Sequence, residues 1–250
     1  AAHERGLSSA SAVVRSFVPF SPATRRTEAI VDIDGVQMRC VKGALRTVAA
    51  AAGLGDQAIA ALEQAANAEA ARGVRSLAVA QARGDEPLRL VGLALLHDAP
   101  RSDARQLIDA LRALGVQVKM LTGDSLPVAK EIARVLGLGQ IARAPELRSL
   151  QQGGTARATD LVAAADGFAE VFPEDKFRVV TTLQAASHVV AMTGDGVNDA
   201  PALRQAEVGI AVSGATDVAK GAASAVLTTE GLANIVDLVR IGRSIYQRVL

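Results

Sequence analysis

One local design occurs twice in this chain and narrows what it can fold into: an apolar strand that ends in Thr-Gly-Asp and runs into a helix. The copies are VQVKMLTGD (116–124) and SHVVAMTGD (187–195). Both lie after His97, where the pattern alternates strand and helix. Such alternation implies a mostly parallel sheet covered by helices. In open α/β sheets, ligands sit beyond the carboxyl ends of strands. Two such ends put Thr122, Asp124, Thr193 and Asp195 on one rim. Gly123 lets the backbone approach closely, and the helix N-terminus that follows favours an anion such as phosphate. A single Thr-Gly-Asp would also serve as a plain helix cap after a strand.

The elements follow from apolar periodicity. Residues 1–14 are Ala/Ser-rich and read as helix, like the middle of one rather than a signal peptide. Apolar residues then alternate on both sides of Asp34-Gly35, which predicts a hairpin of about 29–34 and 36–41. Ile59, Leu62, Ala66 and Ala70 share a face and predict a helix over 56–72. LAVAQA and LRLVGLALL read as strands around a loop at Arg83–Pro87. Beyond His97 come helix 103–114, strand VQVKML, helix 126–136 and a Gly- and Arg-rich linker around 139–160. A short strand near Phe168–Phe172, helix 174–186, strand HVVAM, helix 198–205, strand VGIAV, helix 215–222, strand AVLT and a final helix 231–250 complete the chain.

Composition narrows the class. Half of the 250 residues are hydrophobic but only 2% are aromatic, so any core is built from Ala, Val, Leu and Ile. That length suits one large or two modest domains. A net charge of +1 with interspersed signs excludes an electrostatic nucleic-acid binder. The single cysteine, Cys40, excludes an internal disulfide and suits a reducing cytosol. No run approaches the roughly 18 apolar residues of a membrane span. The expectation is a soluble, cytosolic chain, which leaves open a piece cut from a membrane protein.

The second Thr-Gly-Asp continues as TGDGVNDAP, so Asp195, Asn198 and Asp199 put three oxygen-bearing side chains within five residues of a strand end. Hard oxygen ligands suit Mg²⁺, which binds one or two carboxylates plus phosphate oxygens. An Asx-rich turn is the simpler alternative. Lys176, in VFPEDKF, follows a short strand and is placed to neutralise a transferring phosphoryl group. By itself it would be a solvated lysine. Its weight comes from the order: Thr122, then Lys176, then the acidic cluster.

That order resembles the haloacid-dehalogenase superfamily and, more narrowly, the P-type ATPases. Their signature MTGDGVNDAPAL stands at 192–203, their Asp-x-Pro-x hinge motif is Asp98-Ala99-Pro100-Arg101, and their Lys-Gly-Ala stands at 42–44. The segments PFSPATRRT (19–27), ADGFAEVFPEDK (165–176), GATDVAKGAASAVLT (214–228) and EGLANIVDLVRIGRSIYQR (230–248) are most similar to the plasma-membrane proton pumps. The resemblance implies an α/β chain: a partial nucleotide-binding domain with an antiparallel sheet (1–97), a doubly wound, haloacid-dehalogenase-like phosphorylation domain lacking its first strand (98–230), and the start of a stalk helix (231–250). It implies ATP and Mg²⁺ as cofactors. Phe20 matches an aromatic that stacks on adenine. Lys42 and Gly43 match the Lys-Gly of the nucleotide site, Arg75 an arginine reaching the phosphates, and Asp98 and Arg101 the hinge motif, which belongs with the nucleotide-binding residues. Thr122, Gly123, Asp124, Lys176 and Asn198 match catalytic positions, and Asp195 and Asp199 the metal site. The partners it implies are the rest of the same pump, actuator domain and membrane helices, on the cytoplasmic face of the membrane.

Two features depart from that pattern. The family nucleophile lies in Asp-Lys-Thr-Gly-Thr, which occurs nowhere here and is expected upstream of Ala1. The Thr-Gly-Glu loop is absent too. Meanwhile AIVDIDGV (29–36) imitates the Asp-x-Asp-Gly nucleophile motif of free-standing phosphatases. Two other readings therefore stand beside the pump: a Mg²⁺-dependent phosphatase using Asp32 and Asp34, and a non-catalytic nucleotide-binding module.

Overall fold

The computed structural model describes residues 12–21, 23–153, 155–229, 231 and 233–249. Contacts divide the chain into two compact units, Ala1–Asp98 and Ala99–Leu250.

The first unit holds a five-stranded antiparallel sheet in sequence order: β1 (Ala12–Val18), β2 (Arg26–Ile33), β3 (Val36–Gly43), β4 (Val74–Arg83) and β5 (Arg89–His97). The expected hairpin is β2–β3, closed by Ile33 opposite Val36. Its turn residues Asp34 and Gly35 have φ of 51° and 79°. Two successive positive φ angles make the tight turn whose twist matches that of the strands. Two helices, α1 (Leu45–Ala51) and α2 (Asp56–Ala70), pack on the sheet. Ala78, Ala80 and Ala82 alternate along β4 and are all buried. Small side chains at that spacing let Val48 of α1 close onto Val41 and the sheet.

One expectation fails here, and one element was not anticipated. The helix over 1–14 is wrong for Ala12–Val14, which belong to β1, and the rest of it lies outside the described residues. AVVRSFV is rich in β-branched residues, and β2 offers a partner for them. α1 went unread because seven residues are too few to establish a period.

The second unit contains two parallel sheets. One has the order β6–β8–β7, from Met120–Leu121, Gly167–Ala169 and Ile141–Arg143. The other has the order β11–β10–β9, from Ala225–Val226, Val208–Ala211 and Ala191–Gly194. Eight helices accompany them among the described residues: α3 (Ala104–Ala113), α4 (Leu126–Leu136), α5 (Ala144–Gly153), α6 (Thr155–Ala164), α7 (Pro173–Ala185), α8 (Ala200–Gln205), α9 (Asp217–Ala222) and α10 (Ala233–Val249). The single wound sheet expected is thus realised as two three-stranded halves. They share their packing: Val179 and Val180 of α7 lie in different core clusters, and Leu121 and Leu183 pack against both.

The linker expected over 139–160 is not one. It holds β7, α5 and the first part of α6, with Ala142, Ala144, Leu147 and Ala158 buried. Gly137, just before it, is the left-handed cap of α4 (φ 71°), a helix stop rather than a flexible stretch. VQVKML forms only a two-residue strand, because its pairing with β8 is limited to Met120 opposite Gly167 and Leu121 opposite Phe168. α10 buries Ile235 and Val236, and Arg243 Nη1 donates to the Leu114 carbonyl beyond α3. Among the described residues no helix is long and apolar enough to cross a membrane.

Phe168 is fully buried at the centre of β8, whereas Phe20 is 60% exposed. Phe168→Ala should cost about 3–5 kcal/mol, and Phe20→Ala less than about 0.5 kcal/mol; urea denaturation of both variants checks the contrast.

Candidate functional site

The carboxyl ends of β6, β8 and β9 converge through backbone and side-chain bonds. After β6, Thr122 N–H donates to the Phe168 carbonyl at 3.0 Å, and the Thr122 carbonyl accepts from Val171 N–H at 3.0 Å. Glu170 N–H donates to the Asp124 carbonyl at 2.8 Å. The first Thr-Gly-Asp loop is thereby woven into the segment that leads to α7. Thr122 Oγ1 donates to the buried Asp124 carboxylate at 2.8 Å and accepts the Asp124 N–H at 3.1 Å. At Gly123 a Cβ would meet only the Val171 carbonyl, at 3.6 Å, so packing does not demand a glycine there.

The second loop is built differently. Asp199 is 4% exposed and stands in a 3-10 turn, Val197–Asp199, ahead of α8. Its Oδ2 accepts the backbone N–H groups of Asp195 and Gly196, both at 3.1 Å. Its Oδ1 accepts from Lys176 Nζ at 2.5 Å. Gly194 is required: a Cβ there would lie 2.5 Å from the Asp199 Cβ. The two Thr-Gly-Asp copies therefore share a sequence but use their glycines for different ends. Burial pushes the Asp199 carboxyl up. The hydrogen bonds from Lys176, Gly196 and Asp195, with the Lys176 charge, outweigh it and hold the carboxyl below its ordinary value.

Asp195 and Asn198 are exposed at the end of β9, and the Asp195 carbonyl accepts the Thr216 N–H at 2.8 Å. Of the two residues expected at the metal, Asp195 presents its carboxylate outward, while both oxygens of Asp199 are committed within the protein. Among the described residues no three His, Cys, Asp or Glu side chains gather into a metal cluster. The donor set fits a cation that takes few protein oxygens and completes its shell with water and phosphate, as Mg²⁺ does.

Lys176 stands in the first turn of α7, which Pro173 opens. The neighbouring Asp175 was overlooked, although an acid two residues after a helix-opening proline is a helix-start signal. Its Oδ2 accepts the Phe172 N–H at 2.8 Å.

In the first unit Phe20 is exposed beyond β1, and Lys42 and Arg75 are exposed on β3 and β4. Lys42 pairs with Val79, four residues along from Arg75. Period-2 alternation puts Lys42 and Arg75 on one face, opposite to Ala78 and Ala80 and their helices. Gly43 is buried and structural: a Cβ there would lie 2.3 Å from the Arg25 carbonyl. Asp98 is exposed at the division between the units, and Arg101 pairs with Asp103 at 3.4 Å. Asp32 lies on antiparallel β2 opposite Gln37, with its carboxylate 2.6 Å from Arg15 Nε, and Asp34 is in the turn.

A sequence model described as haloacid dehalogenase-like hydrolase matches residues 29–207. The chain belongs to the haloacid dehalogenase-like hydrolase family. It is also 43% identical over 244 residues to plasma membrane ATPase 2 of Saccharomyces cerevisiae, covering 94% of this chain and 26% of that protein. It is 42% identical to plasma membrane ATPase 1 of Schizosaccharomyces pombe, covering 94% and 27%. A Methanocaldococcus jannaschii protein, provisionally assigned as a cation-transporting ATPase, is 41% identical over 240 residues, covering 94% and 30%. The chain thus spans about a quarter to a third of the length of these relatives.

Removing one partner of a buried ion pair strands the other, so Asp199→Ala should destabilise this family member by about 3 kcal/mol at neutral pH. Because its folded-state pKa is depressed, the contribution of Asp199 is complete above the unfolded-state value of ~3.9. It is lost as pH falls through the lower folded-state value. The difference in urea midpoint between wild type and variant should stay constant from pH 7 to about 5 and close below about 4.

Proposed function

We propose that this chain is the nucleotide-binding and phosphoryl-handling part of an ATP-driven cation export pump, with the proton as the cation, whose full-length form passes through an aspartyl phosphate. The observation that carries the reading is the 2.5 Å contact of Lys176 with Asp199, which unites FPEDK and TGDGVNDAP at the ends of parallel strands. Phosphoryl transfer needs chiefly positioning and charge stabilisation, and a lysine beside an acidic strand end supplies both. The relatives' names, plasma membrane ATPase and cation-transporting ATPase, support the pump over other phosphoryl chemistry.

In this reading Ala1–Asp98 binds ATP. Phe20 stacks on adenine, Lys42 and Arg75 meet phosphates on the open face of the sheet, and Gly43 keeps β3 close to the start of β2. Asp98 and Arg101 flank the hinge. Ala99–Leu250 handles the phosphoryl group. Asp195 holds Mg²⁺, which when bound neutralises charge on the transferring phosphoryl oxygens. Thr122 and Asn198 hydrogen-bond that group, Lys176 faces its charge, and Gly123 and Asp124 shape the loop. Asp199 orients Lys176 and closes the Asp195 loop. The acceptor aspartate belongs to an Asp-Lys-Thr-Gly-Thr strand elsewhere in the pump, added to the free edge of β6 or β9. In the same reading α10 begins the stalk toward the membrane helices, and the chain works on the cytoplasmic face of the cell membrane beside the actuator domain. The phosphatase alternative lacks its geometry, because Asp32 is on an antiparallel strand and paired with Arg15.

Three outcomes test this. Asp195→Asn in the full-length pump should abolish phosphoenzyme formation, measured by acid-stable incorporation from labelled ATP; normal incorporation would sink the metal assignment. In the 250-residue chain, Phe20→Ala should weaken ATP binding by about 1–3 kcal/mol in titration calorimetry, and equal affinities would remove Phe20 from the site. The chain alone should neither hydrolyse ATP nor become phosphorylated, whereas turnover that depends on Asp32 would restore the phosphatase.

A further inference from the structure

Lys176 is held at its tip by Asp199, and the backbone that carries it is held by a pair that the proposed chemistry does not use. Asp175, its neighbour, is 1% exposed, buried as deeply as the aliphatic core. Its Oδ2 accepts the Phe172 N–H and a hydrogen bond from Arg148 Nη1, which reaches across from α5. The Arg148 guanidinium also lies over the Phe172 ring, 4.9 Å from its centroid. Arg178 Nη1 stands farther off, 4.0 Å from Oδ1. One turn on along α5, and about two turns on along α7, Gln151 donates to Thr182 Oγ1 at 3.3 Å. α5 thus grips the first turn of α7 at one residue and steadies it at a second.

The grip has a directional consequence. Successive residues of an α-helix point about 100° apart around its axis. Fixing Asp175 toward Arg148 therefore fixes the azimuth at which Lys176 leaves the helix, and that azimuth meets Asp199. A carboxylate this deeply buried is costly unless paired and fully hydrogen-bonded. Arg148 supplies the charge, and the Phe172 N–H supplies a further donor. The planar guanidinium can hydrogen-bond and stack at once, which an ammonium cannot do.

We propose that Arg148 and Asp175 are positioning residues for Lys176, setting its reach toward Asp199 and toward a phosphoryl group at the rim. The proposal rests on Lys176 being the lysine that faces that group. It gives α5, in the stretch whose composition suggested a linker, a part in the site.

The test is competitive amine labelling of the whole chain with trace acetic anhydride at one pH, each lysine read by mass spectrometry. In Arg148→Met, Lys176 should label severalfold faster, its amine no longer held steadily against the Asp199 carboxylate. Lys130 and Lys220 should not change, and Arg148→Lys should recover part of the protection. Unchanged labelling of Lys176 in a folded Arg148→Met, even one with a lowered melting temperature, would overturn the proposal and leave the pair a fold-holding contact. Should Arg148→Met unfold, all lysines will label alike. Asp175→Asn then decides: it keeps an acceptor for the Phe172 N–H and removes the charge that Arg148 needs. Selective exposure of Lys176 supports the proposal, and none refutes it. No nucleotide enters the measurement, so the pump reading fails separately, through normal phosphoenzyme in Lys176→Ala of the full-length protein.

Discussion

The Lys176–Asp199 ion pair is the contact on which the second unit's arrangement depends. Asp199 is nearly inaccessible, and a carboxylate there would be expensive to bury without compensation. Compensation comes from two backbone N–H groups and one ammonium, which together outweigh burial. Each demand fixes something else. The backbone donors require the chain to fold back after β9, and that turn requires Gly194, because a side chain would occupy the space of Asp199. The ammonium requires α7 to present its first turn to the loop. Since α7 sends Val179 into one core cluster and Val180 into another, the pair aligns the two half-sheets as well as two loops.

The same economy separates the roles of neighbouring acids. Asp195 and Asp199 are four residues apart in a stretch that reads as one acidic cluster. Asp199 turns inward and is spent on the fold, which leaves Asp195 exposed at the strand end. Asp124 and Asp175 follow Asp199: both are buried and bonded inward. Asp124, Asp175 and Asp199 thus shape the rim, while Asp195 stays exposed at the strand end. In the proposed reading Asp195 is thereby left for a cation that keeps most of its water and takes phosphate oxygens as ligands.

Legibility in the sequence tracked how local each cause was. The β2–β3 hairpin was readable because Asp34-Gly35 tolerates two positive φ angles and its flanks alternate. α4 was readable to the residue, with Pro127 in its first turn and Gly137 as its left-handed stop. β6 was overextended because strand length depends on partners, and only Met120 and Leu121 find theirs on β8. The 139–160 stretch was misread because its glycines and arginines imitate a linker, while Ala144, Leu147 and Ala158 meet their partners only in the folded core. The Asp175–Arg148 contact spans 27 positions, and no local signal announces such a pair.

The stretch AIVDIDGV carries that lesson furthest. Locally it has what a phosphatase nucleophile needs: an apolar strand, two acids in alternation and a glycine. The family match even opens at residue 29, where this stretch begins. Yet a nucleophile of this kind has to stand at the carboxyl end of a parallel strand, facing a helix N-terminus or a metal. Here the strand's neighbour is decided by eight consecutive pairings with β3, from Arg26 opposite Gly43 to Ile33 opposite Val36. Those pairings turn the would-be active-site glycine into the second residue of a hairpin turn. They leave Asp32 on an antiparallel strand with Arg15 beside it. Thr122 and Asp195 instead follow parallel strands, and Lys176 reaches the Asp195 loop through Asp199, so that the topology and not the motif brings these segments together. A motif proposes the chemistry, and the pairing of its strand determines whether that chemistry has anywhere to happen.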